Sequence, residues 1–254
     1  MNEEPLRFTV VEGLASIRLN RPLQLNAFDA ELAHAWRSAA TEATSRPDIG
    51  AVLIETEGKA FSAGGDLRAI HQMRSGAQLT ELANVINEGI RALIASSVAV
   101  IAAVRGTVVG GGLGILLASD YAIADSSVRV GSLYAAVGLT PDLSVSASLA
   151  AAVGERRALQ LLLQDRLLDA DEALSWGLVA EVVERGECDR RAREVAETWL
   201  SGATRSYGDA KRLIRSRSER SFAEQLHEEA RTIGSALDRS EARSRIDAFI
   251  NRAG

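Results

Sequence analysis

The stretch "AFSAGGDLRAI", Ala60 to Ile70, joins an apolar segment to a charged, helix-like one. Two adjacent glycines at such a junction are costly, because glycine loses more backbone freedom on folding than any other residue. Their presence indicates that some group must approach the backbone closely. The preceding segment, "GAVLIETEG" at 50–58, is apolar without alternation, which predicts a strand buried on both faces. We therefore predict a strand, a glycine turn and a helix in that order.

The same order recurs further along the chain. The run "SVAVIAAVRG" at 97–106 predicts a second buried strand, and "TVVGGGLGILLASD" at 107–120 predicts a glycine turn that opens a small-residue helix. A third strand region follows in "DYAIADSSVRV" at 120–130. Strands that alternate with helices predict an α/β layered fold.

The segments before and between these turns fit that fold. The run "RFTVVEGLASIRLN" at 7–20 predicts a hairpin that turns at Glu12-Gly13. A helix is predicted near Phe28 to Thr44 with Asp29 as its N-cap, and another within 78–96.

Strand signals fade after about residue 150, where amphipathic helical stretches dominate and "AEVVE" at 180–184 is at most a short strand. The predicted organisation is an α/β core over 1–190 and a helical region over 191–254. The apolar residues of this helical region predict that it packs against the core or against another subunit.

Composition narrows the class of protein. The chain has 254 residues, of which 46% are hydrophobic and 25% charged, with a net charge of -5, as in a globular protein with a sizeable core. Because both charge signs are mixed, nothing favours nucleic acid or an anionic membrane as a partner.

Neither a metal site nor a membrane segment is expected. Cys188 is the only cysteine, and His34, His71 and His227 lack ligand spacing. The N-terminal stretch "MNEEPLRFTVVEG" has no signal-peptide core, and no apolar run is long enough to span a bilayer. We therefore expect a cytoplasmic location.

The glycine turns themselves suggest chemistry. The N–H groups at a helix N-terminus are unpaired, and glycine lets an atom approach them without a Cβ in the way. Two such turns that face each other could offer two donors to one oxygen, which is an oxyanion hole. Tight packing of strand against helix is an alternative reason for the glycines, and Asp66 can be a plain N-cap. Neither turn matches a phosphate-binding fingerprint.

Five segments in order resemble the crotonase (enoyl-CoA hydratase/isomerase) family. They are "LNRPLQLNAFDAEL" at 19–32, "KAFSAGGDLRAI" at 59–70, "VRGTVVGGGLGILLASDYAIAD" at 104–125, "RVGSLYAAVGLTPDLSVS" at 129–146 and "LLLQDRLLDADEALSWGLVAEVV" at 161–183. The resemblance implies a crotonase-like spiral of repeated ββα units, with C-terminal helices that complete a homotrimer, often stacked as a hexamer. It also implies an acyl-CoA substrate and no cofactor, since coenzyme A enters only as part of the substrate.

The resemblance assigns roles to particular residues. The backbone N–H groups of Gly65 and Gly111 would be the oxyanion donors. Tyr134 and the loop expected over 68–80 would shape the acyl pocket, and Lys211 would reach the CoA phosphates from a neighbouring subunit. The other residues expected to bind coenzyme A are Gln24, Leu25, Ala63, Gly64, Asp66, Leu67 and Arg68.

Two positions depart from the family's hydratases, which carry two glutamates that handle a water molecule. The matching positions here are Gly114 and Tyr134. Adding water needs a group that takes a proton near neutral pH. Glycine cannot do so, and tyrosine has a reference pKa of about 10. Ordinary hydratase activity is therefore not expected.

Asp142, in "GLTPDLSVS", is the remaining candidate acid or base. The pattern resembles isomerases of phenylacetate breakdown, and an aryl-CoA dehalogenase of the family has a nucleophilic aspartate at the matching place. Double-bond isomerisation with Asp142 as acid/base is the favoured interpretation. Hydration, thioester hydrolysis, dehalogenation and CoA binding without catalysis remain alternatives. Asp142 can also be the N-cap of the helix predicted over 143–154.

Overall fold

A computed structural model describes residues 4–253 of the chain. As predicted, β1 (Leu6–Val11) and β2 (Leu14–Leu19) form a hairpin. The turn residues Glu12 and Gly13 have φ values of 49° and 84°.

Parallel strands extend this hairpin into a large sheet. Its further strands are β3 (Ala51–Thr56), β4 (Ala99–Val104), β6 (Tyr121–Asp125) and β9 (Glu181–Val183), in the order β1-β2-β3-β4-β6-β9. A second sheet has the order β5-β7-β8 and consists of β5 (Thr107–Val108), β7 (Arg129–Gly131) and β8 (Leu167–Leu168). The sequence did not predict β5 and β8, because two residues are too short for a periodic pattern.

The chain visits the two sheets alternately. From β4 it enters β5 and then a helix, and from β6 it enters β7 before the next helices. Ser62, which follows β3, makes a parallel bridge to Val108 of the small sheet. These repeats of strand, strand and helix confirm the predicted α/β class and the crotonase-like spiral.

Helices cover the sheets and form the C-terminal region. They are α1 (Ala30–Ser45), α2 (Leu67–His71), α3 (Gly76–Ala95), α4 (Gly111–Leu117), α5 (Val145–Val153), α6 (Glu155–Leu163), α7 (Ala170–Trp176), α8 (Cys188–Ser201), α9 (Thr204–Arg215), α10 (Phe222–Leu237) and α11 (Ser240–Ala253). Asp29 caps α1, as predicted, and its side chain accepts from Leu32 N at 2.9 Å.

The large sheet is buried between two layers of helices. All residues of β3 and β4 are buried, as the absence of alternation predicted. On one face lie α1 and α3, where Trp36 packs edge-on against Phe28 and donates to Ile86 O at 3.2 Å. On the other face lies α8, whose Ala192 packs in a buried cluster with Leu53. This double cover fixes the strand ends from which the glycine turns emerge.

The predicted boundary at residue 190 falls within α8, which packs on the sheet. Beyond it, α9, α10 and α11 expose apolar side chains, including Phe222 at 80%, Ile233 at 73% and Phe249 at 71%. Within residues 4–253, no helix has both the length and the apolar character needed to cross a bilayer.

Candidate active site

The two glycine turns pack against each other. A Cβ atom at Gly64 would lie 2.8 Å from Gly111 N and 3.0 Å from Val109 O. Gly64 also has a φ of 84°, which side chains rarely adopt. Glycine is therefore needed at position 64 because the backbone of the second turn approaches it closely.

This contact places two free N–H donors side by side. Gly64 O accepts from Phe28 N at 2.7 Å, and Gly110 N donates to Ser132 O at 2.9 Å, so the neighbouring backbone groups are paired. In the part of the chain that the structure describes, the N–H groups of Gly65 and Gly111 donate to no protein acceptor. Both glycines line the same cavity. The pair can therefore donate to one oxygen, as an oxyanion hole requires.

The cavity has a volume of about 470 Å³ and a largely apolar wall. Its apolar side chains include Leu67, Leu79, Leu82, Ile86, Val137 and Leu139. Polar side chains lie among them, namely Thr80, Asn84, Tyr134, Thr140 and Asp142. Two other grooves, each of about 950 Å³ and more open to solvent, lie against α9. Neither is lined by the two glycines or Asp142. Of these three, the smaller cavity alone joins an apolar pocket to the free donors.

Asp142 and Tyr134 form a hydrogen-bonded pair in this cavity. The Tyr134 hydroxyl donates to Asp142 Oδ1 at 2.6 Å, while Oδ2 accepts from no other residue within 4–253. Loss of solvent around the carboxyl raises the pKa of Asp142, and the hydrogen bond from Tyr134 partly offsets that rise. Burial, reinforced by the charge of Asp142, raises the pKa of Tyr134 well above its usual range. The pair therefore combines a fixed phenol donor with a carboxylate more basic than usual.

Asp142 does not cap a helix, so the alternative role considered for it from the sequence is wrong. Helix α5 begins at Val145 and its N-cap is Ser144, while Asp142 contributes its carbonyl oxygen to Val145 N at 2.9 Å. Leu143 and Ser144 have φ values of 49° and 65°, which insert a left-handed turn between Asp142 and the helix. This turn leaves the Asp142 carboxyl on the cavity wall, where it is the only acid among the described lining residues.

The structure brings about half of the predicted site residues to the cavity wall. These are Ala63, Gly65, Leu67, Gly111, Tyr134 and Asp142. The segment 68–80, which we expected to be a loop, instead contains most of α2 and the first turns of α3, and it supplies Ile70 and Leu79 to the wall.

The other residues predicted to bind coenzyme A do not line the cavity. Leu25 O accepts from Ala63 N at 3.0 Å, which holds the loop containing Gln24 against the first glycine turn. Asp66 caps α2 by accepting from Arg68 N at 3.1 Å and pairs with Arg21 at 3.3 Å. The Asp66 side chain is therefore a structural group, whereas that of Arg68 extends from an exposed position.

Lys211 is also structural, which contradicts its predicted contact with CoA phosphates. Its ammonium group is buried, donates to Leu93 O and Val98 O at 2.7 Å each, and pairs with Asp120 at 2.9 Å. An ammonium group has three N–H donors, and these three acceptors use them all. Lys211 thus fastens α9 to the end of α3.

Sequence reasoning missed Leu143. Its side chain is buried, lines the cavity and approaches α4. A leucine after Pro-Asp carries no signal of a left-handed conformation, because leucine disfavours it. Only the packing of the loop on α4 reveals this residue.

The fold and the cavity together define an α/β protein in which two free backbone N–H groups and one carboxyl with a raised pKa line a largely apolar pocket. A family model described as Enoyl-CoA hydratase/isomerase matches residues 9–253. The chain belongs to the enoyl-CoA hydratase/isomerase family, the crotonase family. An acyl-CoA thioester is the substrate class that this membership implies.

Relatives with different reactions resemble the chain at comparable levels. A probable enoyl-CoA hydratase of Mycobacterium bovis is 33% identical over 93% of this chain and 91% of its own length. A 4-chlorobenzoyl coenzyme A dehalogenase of an Arthrobacter species is 30% identical over 95% and 88%. A trans-2-decenoyl-[acyl-carrier-protein] isomerase of Streptococcus mutans is 30% identical over 84% and 82%.

Solved structures agree on the fold. The crystal structure of a putative enoyl-CoA hydratase/isomerase from Mycobacterium abscessus is 30% identical, with a TM-score of 0.93 over 97% of this chain and 96% of that one. Family membership and fold are thereby established, whereas the relatives do not share one reaction.

Proposed function

We propose that this protein is an enoyl-CoA isomerase that moves a double bond with Asp142 as its acid/base. The observation that carries the proposal is the cavity wall itself, where two free N–H donors meet a single carboxyl. A double-bond shift needs one base and a stabilised enolate, whereas hydration needs groups that also handle water. The relative from Streptococcus mutans is named as an isomerase, which supports this reaction class.

In the proposed reaction, a 3-enoyl thioester places its carbonyl oxygen between the N–H groups of Gly65 and Gly111. The Asp142 carboxylate removes a proton from the carbon next to the carbonyl, and the electron pair moves to the carbonyl oxygen as a dienolate forms. The two N–H groups stabilise that negative charge. The protonated Asp142 carboxyl, which can exchange its proton with solvent, then gives a proton to the γ carbon, and this leaves the double bond conjugated with the thioester.

Tyr134 holds the carboxylate in place during this transfer. Because its hydroxyl donates to Oδ1, Oδ2 is left free to face the substrate. The raised pKa of Asp142 makes the carboxylate a stronger base than an exposed aspartate, while the hydrogen bond keeps the ionised form accessible. Each group of the pair therefore has a separate task.

The proposal is tested with trans-3-octenoyl-CoA, whose apolar chain suits the cavity. We expect the absorbance of a conjugated thioester to appear on mixing, with 2-octenoyl-CoA as the product by mass spectrometry. Tight binding of CoA thioesters without turnover across acyl groups would contradict isomerisation and would favour a CoA-binding protein without catalysis.

Hydration of crotonyl-CoA should be absent or very slow. Position 114 is glycine, and Asp142 is the only acid among the described lining residues, so no second carboxylate can share the handling of water. The loss of conjugated thioester absorbance measures this reaction, with a known hydratase as a positive control. Turnover of about 1–10³ per second would show that another group activates water.

Dehalogenation is the second candidate, because one relative of comparable similarity is named a dehalogenase. In that reaction the Asp142 carboxylate would attack the ring carbon that bears the halogen, the halide would leave, and water would hydrolyse the resulting aryl ester. Release of chloride from 4-chlorobenzoyl-CoA tests it directly. Chloride release without isomerisation of 3-octenoyl-CoA would replace our first proposal with this one.

We also propose that the chain assembles as a homotrimer or hexamer through its C-terminal helices. Helix α10 exposes large apolar side chains, with Phe222 at 80% and Ile233 at 73%, and an extended apolar surface of this kind indicates a protein–protein interface. Light scattering should give three or six times the chain mass, and Ile233→Lys should lower it. His227→Lys on the same exposed helix is the matched control and should change nothing. A monomer mass at micromolar concentration would contradict the proposal.

A further inference from the structure

Gly114 lies directly against the loop that carries Asp142. A Cβ atom at position 114 would be 2.3 Å from Leu143 O and 2.8 Å from Leu143 Cβ. These atoms belong to the main chain or are attached to it directly, so they cannot rotate aside as the end of a long side chain can. Any side chain at position 114 would therefore displace the backbone of the loop.

The loop has an uncommon backbone conformation at this contact. Leu143 and Ser144 are consecutive non-glycine residues in the left-handed region, and Leu143 is only 3% exposed. Such a conformation persists where the surroundings hold it, and it is often found at functional sites. Leu143 Cδ1 would also lie 2.7 Å from a Cβ at Gly111. Gly111 and Gly114, one turn apart on α4, thus form the surface that receives Leu143.

Asp142 is the residue immediately before Leu143, so its carboxyl is held from two sides. On one side the Tyr134 hydroxyl donates to Oδ1 at 2.6 Å. On the other side the backbone is fixed by the contact of Leu143 with α4. A displacement of Leu143 would move the carboxyl relative to both Tyr134 and the oxyanion donors.

We propose that Gly114 is a positioning residue, whose lack of a side chain lets Leu143 pack on α4 and thereby holds the Asp142 carboxyl in the cavity. The proposal rests on the proposed function, since it takes Asp142 as the base. It has a consequence for specificity: a carboxylate side chain at position 114 and this conformation of the loop exclude each other. The residues at positions 114 and 142 then determine together which reaction the site catalyses.

A double-mutant cycle tests this role with trans-3-octenoyl-CoA as substrate. Gly114→Ala should lower kcat about tenfold or more with little change in KM, because a small misplacement of a catalytic group is costly. In the Asp142→Asn background the same change should alter the residual rate by no more than about twofold, because the two residues act through one group. If Gly114 had a purely structural role, Gly114→Ala would lower kcat by the same factor in both backgrounds.

Gly234→Ala is the matched control. Gly234 lies within α10, and a Cβ there would meet nothing within 4 Å, so activity should not change. Thermal unfolding of each variant checks the fold. If Gly114→Ala fails to fold, Leu143→Gly tests the same contact from the other side, since glycine releases the left-handed backbone and should also lower kcat only when Asp142 is present.

The outcomes separate the two proposals. Full isomerisation by folded Gly114→Ala, or equal losses in both backgrounds, would overturn the role of Gly114 while leaving Asp142 as the base. If Gly114→Ala does not fold, full kcat in Leu143→Gly would overturn that role in the same way. Full isomerisation by Asp142→Asn would instead overturn the proposed function, and with it this inference.

Discussion

Asp142→Asn should lower isomerisation of trans-3-octenoyl-CoA by about 10²–10⁴-fold, the usual contribution of a positioned acid/base group. Asparagine cannot take a proton, but its oxygen can still accept from the Tyr134 hydroxyl. The variant should therefore keep the cavity and bind CoA thioesters with nearly unchanged affinity, measured by calorimetry. Transfer of solvent deuterium to the substrate should fall together with the rate.

The same substitution should not destabilise the protein. Desolvation in the folded state raises the pKa of Asp142. The stability that this group contributes at low pH, where it is protonated, is therefore lost as pH rises through the raised pKa. At neutral pH asparagine removes this unfavourable charge, and Asp142 caps no helix that would lose a partner. Thermal unfolding at pH 7 should give an equal or slightly higher Tm. Full isomerisation by the variant would show that Asp142 is not the base.

The pH profile gives an independent view of the same group. Because the base must be ionised, kcat/KM should fall as pH drops through the raised pKa of Asp142. In Tyr134→Phe the hydrogen bond that favours the ionised form is lost, so the acid limb should move to higher pH. A limb that stays in place would mean that Tyr134 does not act on this carboxylate.

The sequence predicted those parts of the fold that have strong local patterns. Continuous apolar runs identified β3 and β4, and Asp29 marked the start of α1. The two glycine turns pointed to an oxyanion hole because free N–H groups and glycine occur together there. The very short strands β5 and β8 had no such pattern, since their pairing depends on residues distant in the chain.

The errors at the site also have physical causes. Asp142 follows proline and precedes a helix, which is the usual setting of an N-cap, but two left-handed residues separate it from α5. Lys211 was expected at a CoA phosphate because of the family resemblance, yet it donates to carbonyl groups at and just beyond the end of α3. In both cases a tertiary contact, and not local preference, decides the role of the side chain.

Gly111→Pro should lower isomerisation by about 10²–10³-fold, because proline has no N–H to donate to the thioester oxygen. Position 111 is the first residue of α4, where a helix tolerates proline well, so the fold should persist. Gly111→Ala is the matched control, since both variants add a Cβ that would lie 2.7 Å from Leu143 Cδ1, but only alanine keeps the N–H. The rate of the alanine variant divided by that of the proline variant therefore measures the cost of replacing the N–H of position 111 by the ring Cδ of proline.

This ratio is measured with trans-3-octenoyl-CoA, and circular dichroism and thermal unfolding confirm that both variants fold. Since the charge on the oxygen develops in the transition state, the loss in the proline variant should fall on kcat more than on KM. Leu143 Cδ1 is the end of a flexible side chain, so its displacement should affect the two variants alike. Equal rates in folded alanine and proline variants would show that the Gly111 N–H does not hold the thioester oxygen, and Gly65 alone could not then form the oxyanion hole.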